Sequence, residues 1–278
     1  MPWYKRLMGI DRRILYIIMA VGIAFPMFSP IGLPVPEDVI AKAAYDYIAA
    51  LPAGSNVLYS YDLSASGMTE LKPASDVFVD LSFQKGHNVF LMALWAEGNN
   101  FSSLWADPIA EKHGAVYGEN YINLGYMVSY ASFLEQSRTD LYQACNGGID
   151  KSGAKLSDFP MMKDVTKAKD FDAVFSFNTG DPGPTAWIQQ WNATEGVAIL
   201  SSCTSVSTPT MVNYYQSGLL KGNVGGLSGA AYSESLHGVK GSATGGMDSQ
   251  SLGHVVIILF LILGNIGYFA AKSAGEAK

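Results

Sequence analysis

Two uncharged apolar runs near opposite ends of the chain, Ile14 to Leu33 and Gly253 to Ala271, decide what the residues between them can be. A hydrocarbon layer about 30 Å thick takes about 20 apolar residues in a helix, and each run reaches that length. The expected organisation is a tail over 1–13, a transmembrane helix over 14–34, a water-soluble domain over 35–240, a linker over 241–252, a second transmembrane helix over 253–271 and a tail over 272–278. The first run, with its charged start, also fits the class of secretory signal peptides, but it is long for one and no small-x-small cleavage motif follows it. Pro26 and Pro30 are placed to kink or end it.

Charge sets the orientation. The first tail holds Lys5, Arg6, Arg12 and Arg13 against Asp11, and the last holds Lys272 and Lys278 against Glu276. Short segments rich in Lys and Arg stay in the cytoplasm. Both termini are therefore expected there, with the central domain extracytoplasmic and the chain integral to the cell membrane. Of 18 basic and 24 acidic residues, 12 and 22 lie between residues 35 and 252, an acidic balance that repels nucleic acid and anionic lipid. His254 and Asn265 fall near the ends of the second run, where polar groups are tolerated. Gly264, Gly267 and Ala271 are small enough for a second helix to approach closely. Trp3, Tyr4 and Tyr268 are candidates for the interfacial aromatic belt.

Between the runs, strand and helix patterns alternate. Val39, Ile40, Ala43, Ala44, Tyr47, Ile48 and Leu51 recur at helical spacing between Pro36 and Pro52. Apolar strands are predicted over 56–62, 88–95, 121–124, 171–177 and 197–202. Helices are predicted over 73–85, 101–113, 129–144, 185–191, 211–220 and 225–236. Five short apolar strands separated by helices make a three-layer, doubly wound (Rossmann-like) α/β domain with a mostly parallel five-stranded sheet. An irregular α+β domain is the alternative.

Open sheets of this class bind ligands beyond the carboxyl ends of their strands. The expected rim is Asp62 and Ser64 after the first strand, and Glu97 and Asn99 after the second. Thr179, Gly180 and Asp181 follow the fourth, and Ser202, Cys203 and Thr204 close the fifth. The same residue types also cap helices and form turns. No G-x-G-x-x-G, P-loop or G-x-S-x-G is present, and His87, His113, His237 and His254 lack ligand spacing. No catalytic set, metal site or cofactor is therefore expected. Asp76, Asp80 and Glu111 read as solvated charge on helix surfaces.

Cys145 and Cys203 are the two cysteines, and a bridge between them is left open by the sequence. A cysteine at a strand end ahead of a helix has the setting of an activated nucleophile. In this, Cys203 resembles the caspase-like and gingipain-like peptidases, in which the preceding strand ends in His-Gly. Here that strand ends in Asn178-Thr-Gly180, and His237 in Leu236-His-Gly238 is the remaining candidate base. The resemblance implies a cysteine hydrolase on an α/β sheet. Asn100-Phe-Ser and Asn192-Ala-Thr match the glycosylation sequon. Glycines crowd the stretch from Gln216 to Gly246 and allow close backbone contact with another surface.

Three functions are expected from these features. The first is a non-catalytic subunit, anchored twice, whose domain assembles a homo-oligomer or larger membrane complex. The second is a membrane-tethered small-ligand binder or sensor using the rim. The third is a hydrolase using Cys203. The expected partners are the lipid bilayer and other copies or other membrane proteins, with no nucleic acid.

Overall fold

The two apolar runs become helices of unequal length. The computed structural model describes residues 2–275, and the chain divides into two compact units. One holds the residues up to Pro34 and those from Lys240 onward; the other is Val35–Val239. In the expected final tail, residues 276–278 lie outside the described residues.

The first unit consists of α1 (Trp3–Met8), α2 (Arg12–Phe28) and the last helix, α12 (Ser242–Ser273). Asp11 caps α2 by accepting from Arg13 N at 2.9 Å. The helix has 17 residues, about 25 Å at 1.5 Å per residue, and ends at Ser29, just before Pro30. The helix expected over 14–34 thus ends six residues early, and no full-length span forms there. Among the described residues, α12 is the one helix long and apolar enough to cross a membrane. Hydropathy overran because Ile31 and Leu33 extend the apolar run after the backbone has left the helix. The expected linker over 241–252 is also corrected, since α12 is helical from Ser242.

Polar groups in that early part of α12 fasten it to α2. Asp248, 1 % exposed, accepts from Gly32 N at 2.8 Å and Leu33 N at 2.9 Å. Ser249 Oγ donates to Ile23 O at 2.8 Å, and Lys240 Nζ donates to Ile31 O at 2.9 Å. A Cβ on Gly245 would stand 2.9 Å from Pro26 O, so glycine is what permits this approach. Gly267 and Ala271 are buried, with α1 and α2 lying against α12, whereas Gly264 is exposed with nothing packed on it. Asn265 Nδ2 donates back to Leu261 O at 2.8 Å, which satisfies its amide inside the helix. The outward surface is apolar, with Ile17, Val21 and Phe25 on α2 and Ile258, Leu261 and Phe269 on α12 exposed.

The second unit is a three-layer α/β domain. Its strands are β1 (Asn56–Asp62), β2 (Asn88–Ala93), β3 (Tyr121–Tyr126), β4 (Ala173–Asn178), β5 (Ala198–Cys203) and β6 (Asn223–Gly225). They form one parallel sheet in the order β3-β2-β1-β4-β5-β6. The predicted doubly wound α/β architecture is present with six strands instead of five. The sixth escaped the sequence because three residues among glycines show no period. Gly222 places it, since a Cβ there would meet Ala44 N at 2.4 Å. Of the glycine-rich stretch, Gly222, Gly225, Gly226 and Gly229 pack within this domain.

Side-chain alternation divides the sheet into two faces. Tyr59, Tyr61, Phe175 and Phe177 meet α4 (Met68–Lys85): Tyr59 Oη bonds Phe78 O at 2.7 Å, and Tyr61 Oη bonds Ser75 Oγ at 2.9 Å. Beside α4 lie α3 (Val39–Ala50), α5 (Gly98–Lys112) and α11 (Gly226–Leu236). On the other face Leu58, Phe90, Val174 and Ile199 pack with Phe133, Trp187 and Trp191. These come from α6 (Tyr130–Gln136) and from α8 (Pro184–Trp187) with the π turn Ile188–Asn192 that continues it. The helix predicted over 129–144 is split into α6 and α7 (Leu141–Ala144) because Asp140 is extended and accepts from Gln143 N at 2.9 Å, starting a new helix. Two further helices, α9 (Ala193–Glu195) and α10 (Thr208–Gln216), flank β5.

Asp248→Ala strands the two amides of Gly32 and Leu33. It is expected to destabilise the helical unit by about 1–3 kcal/mol, read as a lower midpoint of thermal unfolding for the purified full chain, whereas Gln250→Ala leaves it unchanged.

Candidate functional site

At the carboxyl end of the sheet the second face turns polar. Successive registers place Ser60, Ser176, Ser201 and Asn223 in one row and Asp62, Asn178 and Cys203 in the next. All seven are buried. Asp62 is the hub of this layer. Its carboxylate accepts from Ser60 Oγ at 2.6 Å, Ser176 Oγ at 2.7 Å, Leu94 N at 2.9 Å and Trp187 Nε1 at 3.1 Å. Burial raises its pKa, and those four donors act against the rise. Asp62 thus faces inward as a structural acid.

At the topological switch, between β1 and β4, the carboxyl edge is closed by its own loops. Ser64 N donates to Thr179 Oγ1 at 3.1 Å. A Cβ on Gly67 would stand 2.3 Å from Thr179 Cγ2, so the turn Ala65–Gly67 sits directly on that threonine. Glu97 Oε2 accepts from Ala65 N at 2.7 Å, and Glu70 Oε2 accepts from Ser205 N at 2.8 Å and Ser205 Oγ at 2.7 Å. Thr204 O receives Ser207 N at 2.9 Å. The carbonyl of Asn99 accepts from Lys151 Nζ at 2.5 Å, and burial lowers that amine's pKa. Among the described residues, Asn99 Oδ1 and Ser202 Oγ are buried polar side-chain atoms without a partner.

Cys203 and Cys145 are free and buried. Burial pushes both thiols up, the reverse of what a nucleophile needs. Cys203 Sγ has Thr208 Oγ1 at 3.7 Å. The candidate base, His237, is engaged elsewhere, with Nε2 at 2.8 Å from Asp80 Oδ2 and Nδ1 at 3.1 Å from Tyr45 Oη.

Asp80, read from the sequence as a solvated charge, is 7 % exposed. It collects Lys112 Nζ at 2.7 Å, His113 Nε2 at 2.9 Å and His237 Nε2, with Gln84 Nε2 at 2.5 Å. Burial raises its pKa, but the hydrogen bonds from Lys112, His113 and His237 outweigh it and hold the carboxyl well below the usual range. The missed signal was distance: Lys112, His113 and His237 join Asp80 only through packing of α4, α5 and α11. Asp76 pairs with Lys72 at 2.5 Å one helical turn away. Among the described residues no cluster of His, Cys, Asp or Glu is arranged to hold a metal ion.

A cavity of about 570 Å³ lies at the opposite, amino end of the sheet, bounded by Asn56, Asn88, Glu119, Asn120 and Asp164. At the carboxyl end, what stays open lies one strand further along. Two cavities share Asp181 and Thr185. The larger, about 360 Å³, is bounded by Tyr130, Leu134, Gln189 and Gln190. The smaller, about 180 Å³, is bounded by Asn178, Gly180, Ser207, Thr210 and Met211. Of the ten predicted rim residues, Gly180 and Asp181 line this cleft. Asp62, Ser64, Glu97, Asn99, Thr179 and Thr204 serve hydrogen bonds between strands and loops, while Ser202 and Cys203 are fully buried. Tyr130, Thr185, Gln189 and Gln190 carried no motif, since they meet only through the topology. Comparison with known proteins finds no matching family model, no matching curated protein and no matching solved structure.

Two outcomes test these assignments. Asp62→Ala leaves four buried donors unpaired and is expected to destabilise the fold by about 1–3 kcal/mol for each donor that stays without a partner, measured by denaturant unfolding. For Asp80, the lowered pKa means that its contribution is present above the unfolded carboxyl value of about 4 and is lost as pH falls through the folded value. The stability gap between wild type and Asp80→Asn, on the order of 2–3 kcal/mol near neutral pH, should therefore narrow on acidification from pH 7 to pH 3.

Proposed function

We propose that this chain is a non-catalytic, membrane-tethered binder of a small ligand, held by α2 and α12 and working through the Asp181 cleft of its α/β domain. The cleft carries the reading. It lies beyond the carboxyl ends of β4 and β5, where doubly wound sheets place ligands, and its volume is that of a small-molecule site. The rest of the rim is bonded to itself, and Cys203 lacks a base. In the membrane unit, α2 alone misses the length and apolarity of a free-standing span, and it enters the bilayer as the partner of α12. Its exposed apolar side chains run beside those of α12, and Asp248 and Ser249 pin the pair. Two crossings with Lys5, Arg6, Arg12 and Arg13 inside leave both chain ends cytoplasmic and the acidic domain outside.

Assembly with other membrane proteins is the second reading. Val128, 77 % exposed, and Val206, 90 % exposed, stand beside the cleft residues Tyr130 and Ser207 in sequence and favour a contact surface there.

Both parts are testable on the full chain. A broad screen of small solutes by ligand-observed NMR should give hits that Asp181→Asn and Thr185→Val abolish; hits that persist in both variants overturn the cleft. Because the native cysteines are buried, new ones report topology cleanly. Ser66→Cys should react with a membrane-impermeant maleimide in intact cells and Ala274→Cys should not, and the opposite pattern removes the topology.

A further inference from the structure

The lining of the cleft restricts its ligand. No lysine, arginine or histidine borders either lobe, so a phosphate or carboxylate would meet no counter-charge. Asp181 is the single carboxylate, too few oxygens for a hard cation that takes six or more. An apolar guest would strand the amide and hydroxyl groups of Thr185, Gln189 and Gln190. An organic ammonium could pair with Asp181, but it only donates and would leave the donors of Thr185, Gln189 and Gln190 without acceptors. A neutral molecule rich in hydroxyls suits the whole lining better. Each hydroxyl donates once and accepts twice, which suits a carboxylate that only accepts and carboxamides that do both.

Two further features agree. Tyr130 is 41 % exposed at the mouth of the larger lobe, and its ring offers a flat apolar platform with a polar tip. Gln189 and Gln190 lie in the π turn Ile188–Asn192, and such turns are rare and frequently sit at functional sites. The turn is anchored beneath by Trp191, whose Nε1 donates to Leu134 O at 3.2 Å.

We propose that the Asp181 cleft binds a neutral saccharide unit, with the C–H face of a sugar ring on Tyr130 and vicinal hydroxyls on Asp181, Gln189 and Gln190. This deepens the binder reading and rests on it. The test uses the full chain in lipid nanodiscs, which avoids detergents with sugar headgroups. Glucose, galactose, N-acetylglucosamine and maltose are titrated by saturation-transfer NMR, with inorganic phosphate and spermidine alongside. At least one saccharide should bind saturably. Asp181→Asn and Tyr130→Ala, both at exposed positions, should each weaken it about tenfold or more, about 1.4 kcal/mol, with no change in thermal midpoint. Gln190→Ala serves as a third variant if either fails to fold. Saccharide binding that these substitutions leave intact overturns the site. Spermidine or phosphate bound in the cleft with no saccharide response overturns the ligand class while leaving the binder reading. No binding by any solute overturns both.

Discussion

A buried carboxylate holds the carboxyl end of the sheet together. Asp62 takes donors from β1, β4, the chain just after β2, and the indole of Trp187 on α8. A carboxyl group in the protein interior is tolerated only when its oxygens are filled by partners, and those partners must then stay where they are. The consequence reaches the surface. With Trp187 fixed, α8 is fixed, and with it the positions of Thr185 and the π turn that carries Gln189 and Gln190. Loops that could have opened a crevice between β1 and β4 are instead tied across it, and the open volume lies beside α8.

The same device recurs in the other parts of the molecule. Asp80 gathers one lysine, two histidines and a glutamine where α4, α5 and α11 meet. Asp248 gathers two backbone amides where the chain leaves α2. In each case an acid that composition counts as surface charge is a cross-link between segments distant in sequence, 215 residues apart for Leu33 and Asp248. The acidic balance of the chain therefore overstates how much negative charge its surface presents.

This also explains what could be read from the sequence. β1, β2, β4 and β5 were legible because each is a run of six or seven mostly apolar residues bounded by turn formers, and the alternation with helices fixed the layer architecture. β6 was not legible, because its three residues are placed by contact between Gly222 and α3, not by their own pattern. The end of α2 was misread because hydropathy continues past Ser29 while the helix does not. Of the rim, the strand-end rule found the right edge of the sheet but not which residues face outward. Asp62 and Asp181 look alike as letters at strand ends, yet one is sealed by four donors and the other is exposed. Only neighbours distant in sequence decide between them.

The thiol chemistry suggested by Cys203 fails on the same geometry. Cys203 lies on the sheet face with Trp187 and Met211, whereas His237 bonds to Asp80 on α4, the helix that meets Tyr59 and Tyr61 on the opposite face. The sheet stands between the two groups. Bringing the imidazole to the sulfur would require breaking its bonds to Asp80 and Tyr45 and crossing the buried core, and the thiol it reached would still be raised by burial. A cleft lined by hydroxyls, carboxamides and one exposed carboxylate asks for none of this rearrangement. Tyr130, Asp181 and Gln189 already face solvent there, and groups held in place before binding lose least to ordering.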